Sequence, residues 1–251
     1  MFAQKFNMTQ EENVYLAKRM VVDSIWKQAN LEGFSLTFPE TSAIYEQATI
    51  KNISMDAVLC VINLKRAWEY VLINLETPLD LGYLKGLHRE VAHNIALAAG
   101  ELRQGDVGIG GCELYRPPIP DASDIERRLL LLSDIENPLE RGFEIFAWLC
   151  KSQVFWDGNK RTAMLVANKV LIENGAGVLS VSLNNLATFS RLLHNFYEYD
   201  QKGALLAFLY DECISGITFP DRKTDAERAV DVASLDDEAK DACAAVQREY
   251  Q

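Results

Sequence analysis

No stretch of this chain restricts its fold more than the segment carrying Met164, Val166, Ala167, Val170, Leu171 and Ile172, which ends at Asn174-Gly175. Its apolar residues fall on nearly every side of a helix, and such a helix is stable only when other elements enclose it. Asn174-Gly175 supplies a stop of the kind that ends helices in a left-handed turn. The rest of the chain must therefore furnish a shell, and the spacing predicts that the shell is helical.

Thr9-Gln10-Glu11-Glu12 forms a capping box, and Val14, Ala17, Val21, Ile25 and Ala29 continue it at helical spacing, predicting a helix over 10–29. A short helix is expected over 40–47, and Ser54 caps a longer one to about Leu75 whose wide apolar face includes Val58, Val61, Leu64, Trp68 and Val71. Thr77-Pro78 opens a helix through Leu81, Leu87, Val91 and Ile95 that carries His88 and His93. Those histidines are five residues apart and lie on different helical faces, so they take structural or solvent roles rather than sharing a metal. Helices are further predicted over 124–135, 138–150, 185–197 and 202–214, and residues 180–182 read as extended. The fold class is all-α.

With 251 residues, of which 49% are hydrophobic and 24% charged, the chain suits one large domain with terminal extensions. A formal net charge of −11 disfavours nucleic acid and anionic membrane surfaces, so any phosphate must be held by a local site. The five cysteines, Cys60, Cys112, Cys150, Cys213 and Cys243, are widely spaced without a Cys-x-x-Cys pair and read as reduced thiols. No basic-then-apolar leader and no long apolar run is present, which points to the cytoplasm and to no membrane span.

Ahead of the apolar helix stands Gln153-Val154-Phe155-Trp156-Asp157-Gly158-Asn159-Lys160-Arg161-Thr162-Ala163. Gly158 and Asn159 tolerate a sharp left-handed turn, after which a helix begins. Its first amides and the positive end of its dipole suit phosphate, and Lys160 and Arg161 add cationic donors. Asp157 is a hard oxygen ligand suited to Mg²⁺ bridging those phosphates. A capped helix start with a solvated Lys-Arg pair is the other reading of the same residues.

The stretch resembles the signature loop of the Fic/Doc family, His-x-Phe-x-Asp/Glu-Gly-Asn-Gly/Lys-Arg, with Phe155, Asp157, Gly158, Asn159, Lys160 and Arg161 in register. Gln153 occupies the position of the family's catalytic histidine, and an amide takes up no proton near neutral pH. The resemblance, spanning about residues 30 to 215, implies a Fic-fold helical domain with a short β-hairpin flap. It divides the chain into an N-terminal helical segment over 1–50, a Fic/Doc (Fido) core over 51–215 and an acidic extension over 216–251.

It also implies ATP and Mg²⁺ as cofactors, with Asp157 on the metal and Gly158, Asn159, Lys160 and Arg161 on the nucleotide. The activity implied is transfer of AMP to a hydroxyl of a target protein. Lys160 resembles the Doc branch instead, where phosphate is transferred. Gln153 is expected to weaken or alter that activity, and a noncatalytic interaction module stands as the alternative. ATP or a related nucleotide and an unidentified target protein are the expected partners, and a homo-oligomer is left open.

Two further segments enter through the resemblance. Glu32-Gly33 is similar to the end of the family's inhibitory motif, although Gln28 replaces its Ser/Thr and Met164 stands where a second arginine usually pairs with the glutamate. Glu32 is thus either an inhibitory residue paired with Arg161 or Lys160, or a solvated helix end. Val107, Gly108, Ile109 and Gly110, followed by Pro117-Pro118, correspond to the flap that adds a strand to the target segment. His194 follows the signature, and its position offers no reason to place it near a nucleotide, so it is set aside as a substitute base.

Overall fold

The structure, a computed structural model, describes residues 2–48, 50–220 and 222. The helices are α1 (Gln10–Leu31), α2 (Phe38–Tyr45), α3 (Met55–Ile73), α4 (Leu81–Val91), α5 (Ala122–Ser133), α6 (Pro138–Ser152), α7 (Asn159–Glu173), α8 (Leu186–Tyr199) and α9 (Lys202–Glu212). A 3₁₀ turn over Leu183–Asn185 leads into α8. Two short strands, β1 (Val178–Leu179) and β2 (Ile214–Ser215), pair antiparallel. The expected all-α architecture is the one observed.

The apolar pattern of residues 164–172 has its expected consequence. Of the 15 residues of α7, 13 are buried, and α1, α3, α4 and α6 pack around it. The most extensive packing is with α6, where Gly142 faces Leu171 and Ala167. Asn168, inside α7, donates to the Leu179 carbonyl at 2.9 Å and accepts the Leu179 N–H at 2.8 Å, tying β1 to the central helix. A buried amide is stable only when its polar atoms are matched in this way.

Helix starts follow their capping residues. Thr9 and Glu12 bond each other's backbone at 3.3 and 2.8 Å, and Ser54 and Asn137 cap α3 and α6. Most boundaries fall within about two residues of expectation, and α4 departs furthest. Asp80, not Thr77-Pro78, starts α4 by accepting the Tyr83 N–H at 2.7 Å, and the helix stops at Val91, leaving His93 exposed beyond it.

The strand pair also lies elsewhere than expected. Residues 107–109 form no ladder, and Gly110 and Gly111 make a turn closed by a Cys112 N–H to Ile109 carbonyl bond of 3.0 Å. Glycines at 105, 108, 110 and 111 give a two-stranded ribbon few side chains to pair, whereas Val178 and Leu179 are fully buried against α7. Of the C-terminal extension, residues 221 and 223–251, Cys243 among them, lie outside the described residues.

Candidate functional site

The signature stretch joins α6 to α7 through two left-handed residues. Gln153 ends α6 with φ 46° and ψ 55°, and Gly158 precedes α7 with φ 75° and ψ 5°. The second position needs glycine twice over. An L side chain is strained at that φ, and a Cβ would meet Val91 Cγ1 at 3.2 Å and His88 Nε2 at 3.5 Å.

Asn159 holds the bend closed. Its Oδ1 accepts the Phe155 N–H at 2.9 Å, and its Nδ2 donates to the Phe155 carbonyl at 2.9 Å and to Gln153 Oε1 at 3.0 Å. Gln153 Nε2 donates in turn to the Cys150 carbonyl at 2.7 Å. Both side-chain amides are therefore engaged within the loop itself.

Two residues outside the signature complete the scaffold. Phe155 is stacked on His88 of α4 at 3.6 Å with 2° between the rings. Because His88 Nδ1 accepts the Gly100 N–H at 2.9 Å, its Nε2 carries the proton and donates to the Asp157 carbonyl at 2.8 Å. Burial pushes the His88 pKa down to about 4, so the ring is neutral and structural.

Arg103, only 1% exposed, spreads its guanidinium over backbone carbonyls of both the flap and the loop. It donates to Gly105 at 2.7 Å, Pro117 at 3.1 Å and Ser152 at 3.5 Å, and to Pro118 and Gln153, while its own N–H meets the Val154 carbonyl at 3.1 Å. The base of the flap and the start of the loop are thereby one unit.

The N-terminus of α7 has no side-chain cap. The first-turn amides of Asn159, Lys160 and Arg161 lack intrahelical partners, as at every helix start. Asn159 and Lys160 line a cavity of about 440 Å³ together with Gln153, Asp157 and Gly158 and with Gly108, Ile109 and Gly110 of the flap, while Arg161 lies behind this wall. Val107 is outside this wall. Trp156 also lines it, packed where a Cβ on Gly105 would clash at 2.8 Å.

Charge at the site is arranged around Arg161. The guanidinium is 6% exposed and bonds Asp157 Oδ2 at 3.1 Å. Burial disfavours its charge, but Glu32, Cys60 and Asp157 outweigh that and raise its pKa. Glu32, the C-cap of α1, reaches into the cavity with its oxygens 3.7 Å from Arg161 Nε and 3.4 Å from Lys160 Nζ. Lys160 Nζ also donates to the Leu31 carbonyl at 3.2 Å, closing an α1 terminus that has no basic residue of its own. Met164 is fully buried in α7 and holds no charge for Glu32 to pair with.

Asp157 suits a hard cation. Its carboxylate is 55% exposed at the cavity and is oriented by the Gly158 N–H at 2.6 Å and by Arg161. Among the described residues no group of three His, Cys, Asp or Glu side chains is placed for a metal, so any cation would rest on this carboxylate plus ligand oxygens.

The sequence misplaced one residue. His194 of α8, set aside there as remote, lines the same cavity as Gln153 and Asn159. The chain folds back after α7 through β1, which the spacing of residues cannot reveal.

The sequence model of the Fic/DOC family matches residues 78–171, a span that holds α4, the flap, α6 and the signature loop. Residues 78–171 are a Fic/DOC-family domain. The protein adenylyltransferase Fic of Culex quinquefasciatus is 25% identical over 195 residues, covering 73% of this chain and 37% of its own. That of Nematostella vectensis is 26% identical over 195 residues, covering 72% and 43%. The chain thus spans less than half the length of these relatives.

Two solved structures share the fold of the Fic/DOC domain and the helices around it. Fic-1 of C. elegans superposes with a TM-score of 0.68 at 20% identity, over 79% of this chain and 62% of that one. A Fic domain containing signaling protein from Bacteroides thetaiotaomicron gives 0.67 at 18%, over 82% and 85%. Among the described residues, no helix is long and apolar enough to cross a membrane.

Proposed function

We propose that the Fic/DOC domain binds ATP in the cavity before α7 and transfers AMP to a hydroxyl of a target protein, with Glu32 holding the site closed. The observation that carries this reading is the placement of Glu32, whose carboxylate contacts the same two cations, Lys160 and Arg161, that an incoming phosphate would use. A carboxylate and a phosphate compete for one set of donors.

In this reading Lys160, Arg161 and the open amides of α7 hold the phosphates once Glu32 is displaced, and Asp157 holds Mg²⁺. Bound there, Mg²⁺ would neutralise charge on the phosphate oxygens. Gly158 and Asn159 act through the loop: the first supplies the left-handed turn, the second keeps the bend rigid. The backbone of Gly108, Ile109 and Gly110, which belongs to no ladder, receives the target segment by strand addition. Lys160 is turned toward α1. That orientation and the adenylyltransferase names of the relatives favour AMP over phosphate as the group moved.

The test is calorimetric titration of ATP with Mg²⁺ into the wild type, Arg161→Ala and Glu32→Gly. Binding is expected about tenfold tighter in Glu32→Gly, equivalent to ~1.4 kcal/mol, and lost in Arg161→Ala. No binding in either the wild type or Glu32→Gly overturns the reading. The second reading, a noncatalytic module that engages a partner through the flap, draws on Gln153, which takes no proton and is tied to Cys150 and Asn159. ATP binding without transfer after Gln153→His favours it.

A further inference from the structure

We propose that His194 accepts the proton of the attacking hydroxyl, the role that Gln153 cannot fill. This inference rests on the nucleotide reading of the cavity. Of the chain's three histidines, His88 has both ring nitrogens engaged in the scaffold and His93 is exposed beyond α4. His194 alone lines the cavity, half-buried on α8 and on a different wall from the amides of α7.

Its ring is oriented by a relay through the flap. Nδ1 is 3.7 Å from Cys112 Sγ, and the residues that follow Cys112 are held by Glu198, one helical turn beyond His194. The Glu198 carboxylate accepts the N–H groups of Leu114, at 2.8 Å, and Glu113. Desolvation works against its charge, but these backbone donors outweigh it and hold the carboxyl below its ordinary range. Burial, with Glu198 adding to it, pushes the Cys112 thiol up, so the sulfur keeps its hydrogen.

A carboxylate only accepts, so the Glu198 charge beside Cys112 favours the thiol hydrogen turned toward it and away from His194. The sulfur then accepts from Nδ1–H, and the tautomer assigned by this network leaves a lone pair on Nε2. A base oriented by a neighbouring group is one recurring arrangement for activating a hydroxyl.

The step balances as follows. The hydroxyl oxygen forms a bond to the α-phosphorus of ATP as the bond from that phosphorus to the bridging oxygen breaks. Pyrophosphate leaves with the electron pair, and the hydroxyl proton passes to Nε2. The resulting imidazolium is offset by Glu198 through Cys112. With water as the hydroxyl donor the products are AMP and pyrophosphate, which gives an assay that needs no target protein.

The experiment uses the full chain in a Glu32→Gly background and measures two things with ATP and Mg²⁺: binding by calorimetry, and release of AMP and pyrophosphate. With His194→Gln added, binding is expected to stay within about twofold while turnover falls by about 10²- to 10⁴-fold. Free imidazole should restore part of the turnover to His194→Ala, and His93→Ala should match the parent. Turnover unchanged by His194→Gln overturns the assignment, as does turnover that appears only after Gln153→His. Loss of ATP binding in His194→Gln, or a loss of turnover that imidazole does not restore, makes His194 structural and overturns it too. Absence of ATP binding in the parent removes the nucleotide reading and this inference together, so the two failures are told apart by calorimetry alone.

Discussion

Two sets of polar side chains meet the signature loop, and they are built differently. Asn159, Arg103 and His88 bond the backbone mainly at 2.7–3.1 Å, and their donors meet carbonyls or matching amide atoms. Glu32 meets Lys160 and Arg161 at 3.4 and 3.7 Å, and Glu32 Oε1 and Arg161 Nε have no hydrogen-bond partner. One turn earlier on α1, both amide atoms of Gln28 are buried and unmatched as well. Coulomb attraction decays slowly with distance, whereas hydrogen bonding falls off steeply, so the second set keeps attraction and forgoes directional bonding. The first set fixes a shape; the second holds a contact that an anion with better geometry can displace.

Breaking the scaffold should have the largest effect. Arg103→Ala leaves buried carbonyls of the flap and loop without donors and should lower stability by about 3–5 kcal/mol in urea unfolding. Arg103→Lys should recover little, since an ammonium cannot span the same fork of acceptors. A loss below about 1 kcal/mol for Arg103→Ala would mean that the two sets do not differ in kind.

His88 sharpens the same comparison through pH. Its folded pKa of about 4 lies below the ordinary 6.5, so the unfolded chain binds the extra proton between those values. Stability from this group is therefore complete above about pH 6.5 and falls as pH drops toward 4, by about 3 kcal/mol. His88→Phe keeps a ring against Phe155 but cannot titrate, and its unfolding free energy should be flatter across that window by the same amount. Parallel curves for the two proteins would refute the neutral, structural role.

The smallest effect belongs to the second set. Glu32→Gln should change stability by less than about 1 kcal/mol, because Asp157 still pairs with the buried Arg161. A cost of several kcal/mol would make Glu32 part of the scaffold and weaken its reading as a displaceable closure.

Local chemistry was legible in the chain. The caps at Thr9 and Ser54, the buried run of α7 and the left-handed turn at Gly158 each follow from contacts within a few residues. The start of α7 straight after that turn was legible for the same reason. The flap was harder, because an extended segment becomes a strand only when it finds a ladder, and here it is anchored by Arg103 and by Glu198.

By itself, then, the sequence determined an all-helical chain wrapped on one apolar helix, with a left-handed glycine turn at that helix's start. Periodicity and capping are local, so they survive in a linear reading. Only the tertiary structure decided that Glu32 reaches Lys160 and Arg161 from a helix about 130 residues earlier, that Arg103 joins flap to loop, and that His194 looks into the cavity. Those contacts depend on how helices pack around α7, and packing directions are set by the whole core rather than by any one stretch of residues.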